Sequence, residues 1–239
     1  MSEKTKTAIV TGASGGIGAG LVDGFLKQGY NVAATSLRFS PSLTPSPSLF
    51  LVEGDIGKQE TAVKVVEGAI ERFGSVDVLV NNAGIFYVKP FTDFTAEDVN
   101  ALVSTNLLGF IYITQLSVKQ MLRQKSGNVV TITALLADNR IAGVNASVSM
   151  ITKGGLNTVT RSLAIEYAKE GIRFNAVAPG VVETPLHKDD PKDDLKKLQP
   201  MGKIGEISDI VDAVLYLAQA GQVTGEVLHV DGGAHVGRW

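Results

Sequence analysis

Apolar residues fall along this chain in two alternating patterns, short unbroken runs and longer stretches where they recur every three or four positions. The runs Thr7 to Thr11, Val32 to Ser36, Phe50 to Val52, Val76 to Val80, Asn128 to Thr133, Arg173 to Ala178 and Glu226 to Val230 predict buried strands. Ile17, Leu21, Val22, Phe25 and Leu26 predict a helix closed by Gly29, and Thr61 to Phe73 predicts a second closed by Gly74. A longer helix is expected from Thr95 as N-cap, with Asp98 three residues on, through Val99, Leu102, Val103, Asn106, Phe110 and Thr114 to Gln124. Two more follow, Ser149 to Ala168 and one capped by Ser208 that runs through Leu217. Strands apolar on both sides, alternating with amphipathic helices, imply an α/β fold: a doubly wound parallel sheet of about seven strands, helices on both faces. No linker divides the chain and no fixed period repeats, so residues 1–239 are expected to form one domain. Ser40 to Ser48 breaks the rhythm, because Pro41, Pro45 and Pro47 among serines exclude a helix. A surface loop is expected there in place of a crossover helix.

Composition narrows the function classes. With 239 residues, 44% hydrophobic and 19% charged, the chain is long and apolar enough to bury a sizeable core, which excludes disorder and coiled coil. The 22 Lys and Arg against 24 Asp and Glu give a net charge of -2 without a basic run, so nucleic acid is not an expected partner. No apolar stretch approaches the ~20 uninterrupted residues of a membrane span, and Met1 to Lys6 lacks a signal-peptide hydrophobic segment. Neither membrane nor secretion is expected. With no cysteine there is no disulfide, thiolate nucleophile or thiolate metal site, and the default setting is cytoplasmic. No metal site is expected.

Many of the 26 glycines stand where an apolar run stops and a helix begins. Chief among these is Thr11-Gly12-Ala13-Ser14-Gly15-Gly16-Ile17-Gly18, between the first strand and first helix. Glycines let the backbone approach a pyrophosphate, and free N–H groups at a helix start hold its negative charge. The spacing is T-G-x-x-x-G-I-G, and Asn81-Asn82-Ala83-Gly84 stands at the end of a later strand.

With these motifs the chain resembles the short-chain dehydrogenase/reductase family. The resemblance continues in Asp55-Ile56, in Asn106 of Thr105-Asn106-Leu107-Leu108-Gly109, in Pro179-Gly180-Val181-Val182-Glu183-Thr184 and in Val230-Asp231-Gly232-Gly233, in order over nearly the whole chain. It implies a Rossmann-like fold and a nicotinamide dinucleotide. By resemblance Gly12, Ser14, Ile17 and Gly18 line the pyrophosphate, Asp55 and Ile56 flank the adenine, and Asn82, Ala83 and Gly84 border the cofactor. Pro179, Gly180, Val182 and Thr184 hold the nicotinamide, and Lys153 contacts its ribose. A structural reading stands beside each: Asp55 as a loop cap, Pro179-Gly180 as a turn, Asn82 as a pin between strands. At the end of the second strand, where an acid would repel a 2'-phosphate, stand Ser36 and, two residues on, Arg38. This pair favours NADP(H) over NAD(H). Gly15, where many NADP-dependent relatives carry a basic residue, argues the other way, and Arg38 as a solvated residue is the plain alternative.

The family's reaction uses a Tyr whose acidity is raised by a Lys four residues later on one helix face. Lys153 in Thr152-Lys153-Gly154-Gly155-Leu156 resembles that lysine, and four residues before it stands Ser149. A serine hydroxyl is shorter and far less acidic than a phenol. The family's carbonyl-orienting Ser aligns with Ala134, beside Thr133, and the stretch from there to Lys153 is about two residues longer than usual, which leaves Thr133 or Ser147 as substitutes. Lys153, Asn106, Ser149 and Thr133 are therefore the catalytic candidates, Asn106 by resemblance supporting a water beside Lys153. Tyr87 and His187 are further candidate acids.

Two readings follow. One is an oxidoreductase that passes a hydride between a nicotinamide cofactor and a small carbonyl or alcohol substrate, with an atypical proton donor. The other is a non-catalytic dinucleotide-binding sensor or scaffold. Residues 185–205, bounded by Gly202 and Gly205, are expected to form the substrate loop. The two long helices and the apolar carboxyl end from Gly233 to Trp239 suggest a homotetramer, with a homodimer second.

Overall fold

A computed structural model describes residues 5–41 and 43–237. Seven strands run parallel in one sheet: β1 (Thr7–Thr11), β2 (Asn31–Ser36), β3 (Leu49–Glu53), β4 (Val78–Asn81), β5 (Gly127–Ile132), β6 (Ile172–Pro179) and β7 (Val227–Val230), in the order β3-β2-β1-β4-β5-β6-β7. The doubly wound fold class expected from the pattern is the one observed. The alternation that makes both sides of each strand apolar is visible residue by residue. Ala8, Val10, Val78 and Val80 join a core with Leu21, Phe25, Ile210 and Leu217 from α1 (Gly16–Lys27) and α7 (Ile207–Gln219). Ile9 and Leu79 point the other way, into a core with Val65, Ile113 and Met121 from α2 (Gln59–Phe73) and α4 (Gly109–Gln124). Each fully buried aliphatic side chain contributes about 1.5–3 kcal/mol, so the two cores hold the sheet from both faces.

The local punctuation largely follows the sequence. Gly74 closes α2 in the left-handed conformation, and Thr95 caps α3 (Ala96–Leu102) in a reciprocal box with Asp98. The described residues of 40–48 form no helix. Three expectations need correction. The predicted helix from Thr95 to Gln124 is not uniform: between α3 and α4, Val103–Leu108 widens into a π-helical turn around Asn106. The 96–124 segment is also long and apolar enough to cross a membrane by length and composition, which the reading of apolar runs missed because polar residues interrupt it. It is used as a core helix, with Ile113 and Met121 buried against the sheet and α2 and Phe110 buried as well. Finally, α7 is capped by Glu206 in a box with Asp209, not by Ser208, because the carboxylate of Glu206 reaches the free N–H groups one turn ahead.

The remaining helices are α5 (Ser147–Tyr167), packed along β6, and the short α6 (Lys192–Lys196) in the loop after β6. The carboxyl end of α7 is held by a guanidinium. Arg173 on β6 donates to the carbonyls of Leu217 at 2.9 Å and Ala218 at 3.1 Å in α7, and to Val223 beyond it at 3.1 Å, while Asn128 on β5 donates to Leu217 at 2.7 Å. A cation here satisfies helix carbonyls that otherwise lack donors and sits at the negative end of the dipole. Arg173→Leu should lower unfolding stability by about 2–3 kcal/mol, because charged hydrogen bonds to half-buried carbonyls are lost. An unchanged urea midpoint at constant slope would show that solvent replaces the cap.

Candidate active site

The sheet order changes direction at β1 and β4, whose connections leave towards opposite sides and open a crevice at the carboxyl ends of the strands. The Gly-rich turn enters this crevice. Gly12 has φ +66°, and a methyl there would stand 2.8 Å from Ala83 Cα; at Gly18 it would stand 2.0 Å from the Gly12 carbonyl oxygen. Only glycine lets the first turn of α1 press against the exit of β1. That contact is clasped from β4. Asn82 Nδ2 donates to the carbonyls of Thr11 at 2.9 Å and Gly12 at 3.2 Å, and Thr11 Oγ1 accepts the N–H groups of Asn82 at 3.0 Å and Ala83 at 2.9 Å. Asn82 is thus the pin between strands that the sequence offered as its structural reading, and Thr11 is a partner that the sequence reading quoted but gave no role. Its signal was its place immediately before the first glycine.

The first turn of α1 has no side-chain cap and no acidic residue, so its positive end is available to an anion. Ser36 at the end of β2 donates to Ser14 in the turn at 2.8 Å, which brings two hydroxyls to one point of the rim, and Arg38 stands exposed just beyond. Glu53, at the end of β3 and opposite Ser36, accepts the Phe39 N–H at 2.8 Å; it is a carboxylate on this rim that sequence reasoning did not single out. Asp55 accepts the Gly57 N–H at 2.9 Å, the loop-capping arrangement, while Ile56 is buried against Gly109. On the other side Pro179 ends β6, the Gly180 N–H donates to Val230 at 2.9 Å, and Val182 is buried beside Gly205. Thr184 reaches back over the Gly-rich turn, 3.6 Å from where a side chain on Gly16 would begin. Several residues expected around a dinucleotide thus stand at the carboxyl ends of the strands, and the glycines at 12 and 18 leave room for a pyrophosphate to approach the backbone.

At the end of this crevice lies Lys153, which donates from Nζ to the Ile132 carbonyl at 2.9 Å. It is buried, and the loss of hydration lowers its pKa from 10.5 to about 8. A methyl on Gly84 would stand 3.0 Å from Lys153 Nζ and 3.3 Å from Asn106 Oδ1, so these three residues converge. The Asn106 side chain accepts the Ile85 N–H at 2.9 Å and donates to the Ile85 carbonyl and to Thr152 Oγ1, both at 3.0 Å. It clamps the segment after β4 to α5, and the π-helical turn puts it there.

The hydroxyl candidates are placed differently from expectation. Ser149 Oγ accepts the Tyr87 N–H and donates to the Tyr87 carbonyl, each at 2.9 Å, and its residue is fully buried. It ties two segments together and is not open to a substrate. Thr133 Oγ1 is turned to the Val177 carbonyl at 3.3 Å between β5 and β6. Both corrections have one cause: a short buried hydroxyl meets main-chain partners before it reaches the crevice. His187 pairs locally with Asp190 at 2.7 Å, and Tyr87 contributes its backbone to the Ser149 clasp. Ser147 is exposed in the first turn of α5. Gln199, which the sequence reading passed over, is buried and anchors the loop after β6 through the carbonyls of Val181 at 3.1 Å and Lys203 at 2.9 Å.

Comparison with known proteins places the chain in a family. A family profile described as Enoyl-(Acyl carrier protein) reductase matches residues 12–235. L-rhamnose 1-dehydrogenase (NAD(P)(+)) of Sphingomonas sp. (strain SKA58) is 34% identical over 97% of this chain and 96% of its own. The 3-oxoacyl-(acyl-carrier-protein) reductase FabG of Staphylococcus epidermidis is 32% identical over 97% of this chain and 99% of its own. Among solved structures, ElxO with NADP bound superposes with a TM-score of 0.91 at 29% identity, over 98% of this chain and 100% of that one. The chain belongs to the short-chain dehydrogenase/reductase family. Its relatives are oxidoreductases that work with nicotinamide cofactors.

The Asn82 clasp sets the shape of the Gly-rich turn, so Asn82→Ala should weaken binding of a nicotinamide dinucleotide by about tenfold, as a lost pair of part-buried hydrogen bonds implies. Isothermal titration calorimetry measures this; an affinity equal to wild type would mean that Thr11 alone holds the turn.

Proposed function

We infer that the chain is an oxidoreductase that reduces a small carbonyl with NADP(H), drawing its proton from Lys153. The observation that carries this reading is a buried ammonium with a pKa of about 8, held beside Gly84 and Asn106 at the end of the nucleotide crevice. When bound, the dinucleotide supplies the hydride. The protein's share is orientation and a proton, and an ammonium near its pKa at neutral pH is an acid matched to that task. The Gly-rich floor and α1 hold the pyrophosphate, and Thr184, Pro179 and Gly180 close over the other half. Ser36 with Ser14 and Arg38 support a 2'-phosphate and hence NADP(H) over NAD(H). Glu53 on the same rim opposes that preference, and both cofactors occur among the structural relatives: ElxO holds NADP, and 3-ketoacyl-(acyl-carrier-protein) reductase from Brucella melitensis holds NADH. The loop from 185 to 205, anchored by Gln199, is assigned to the substrate side.

A second reading, a dinucleotide-binding protein without turnover, is favoured by Ser149. It stands where the family's Tyr is expected, and its hydroxyl is fully committed to the Tyr87 main chain.

The two readings separate by NADPH and NADH oxidation over a panel of ketones, aldehydes, quinones and cyclic imines. The first expects turnover with NADPH preferred, declining as pH rises through about 8 because the ammonium is lost. Lys153→Met should slow it by ~10²- to 10⁴-fold, the range of a removed general acid. Tight NADPH binding with no oxidation of any panel member leaves the second reading.

Assembly belongs to the same proposal: a homotetramer, with a homodimer second. Ile111 on α4 and Ile165 on α5 are exposed at 40% and 83%, which supports burial of these helices against another copy. Trp239, counted towards the same surface in the sequence, lies outside the described residues. Light scattering on a size-exclusion column should give a multiple of 25.2 kDa, and a single 25.2 kDa species removes the proposal.

A further inference from the structure

Beside the first turn of α5, outside the nucleotide crevice, lies a cleft of about 650 Å³. Its walls are mainly apolar, with Phe91 from the loop after β4, Ile141 and Val144 from the loop after β5, and Met150 and Ile151 from α5, and Asn145 and Ser147 add polar groups at one side. Arg140 is the single charged residue in its lining. The volume is that of a small-molecule site, and Met150 sits one helical turn before Lys153, so the cleft adjoins the place assigned to the reacting carbonyl.

The charge of Arg140 is not answered from within. Its Nη1 donates to the Asp138 carbonyl oxygen at 2.6 Å, a neutral partner. The Asp138 carboxylate is engaged elsewhere, by Asn157 Nδ2 at 2.8 Å, and no carboxylate pairs with Arg140 among the described residues. The field of α5 adds to it. This helix starts at the cleft with no side-chain cap and no acid in its first turn, and its first internal bond is the Met150 N–H to the Ala146 carbonyl at 2.9 Å.

We propose that this cleft binds molecules with an apolar body and one anionic group, the anion at Arg140 and the body along Phe91, Val144 and Ile151, and that the substrates are oxo-acids of this shape. The substrate half of the proposal rests on the oxidoreductase reading; the binding half does not.

Octanoate and 1-octanol, equal in chain length and different in charge, are the probes, titrated by calorimetry into the full-length protein in the presence of NADPH. Octanoate should bind about tenfold more tightly than octanol, and Arg140→Gln should abolish that preference while octanol binding stays unchanged. Equal affinities in wild type, a preference that survives Arg140→Gln, or no binding of either probe each overturn the proposal. Medium-chain oxo-acids are then assayed against their methyl esters. A charge preference in binding without turnover of the oxo-acids leaves the cleft's anion site standing and overturns the substrate assignment, the oxidoreductase reading then failing only if the whole carbonyl panel is also silent, and turnover of the esters at the same kcat/KM as the acids likewise overturns the substrate assignment.

Discussion

The close approach of two backbones at the centre of the sheet is the constraint on which the site depends. The turn after β1 and the end of β4 meet at Gly12 and Ala83 with no room for a side chain, and α1 starts so near that Gly18 lies on the Gly12 carbonyl. Such contact leaves main-chain groups with few partners, and they are satisfied by one hydroxyl and one amide, from Thr11 and Asn82. The same economy of space creates the crevice, because a helix start without a cap is directed at the gap between diverging connections. Ligand recognition here is a by-product of how tightly the two central strands pack.

Around Lys153 the logic is electrostatic. A buried ammonium is costly unless its protons are bound; here one main-chain carbonyl answers it, and the lowered pKa records the hydration that is missing. Asn106 supports the arrangement from below by clamping Ile85 and Thr152, which keeps Gly84 close to the amine. Ser149 works on the same scale. By holding both polar groups of the Tyr87 backbone, it draws the segment after β4 onto α5, while the Lys89 N–H bonded to Asn145 at 2.7 Å fastens the next stretch to the loop beyond β5. Ser149 is thus a structural fastening, and the cleft with Arg140 opens beside it.

Much of this was legible along the chain. Strands such as Ile9 and Leu79, apolar on alternate sides between two helical layers, announce a covered parallel sheet without any knowledge of what they touch. The glycines at 12 and 18 announce a close approach, and the capping residues Thr95 and Gly74 mark helix ends within a residue or two. What could not be read were partnerships between distant segments: Arg173 on the carboxyl end of α7, Gln199 under the loop after β6, Ser36 on Ser14. These depend on register and on which short side chain reaches which carbonyl, and neither leaves a periodic trace.

The sequence by itself determined the class of fold and the place of the close backbone approach at the Gly-rich turn, because hydrophobic period and glycine placement are local properties. Only the tertiary structure decided what the polar side chains do. It turned Thr133 into the sheet, tied Ser149 to Tyr87, left Lys153 poorly hydrated and Arg140 without a carboxylate among the described residues, since burial and hydrogen-bond choice are set by neighbours that the chain brings together only when it folds.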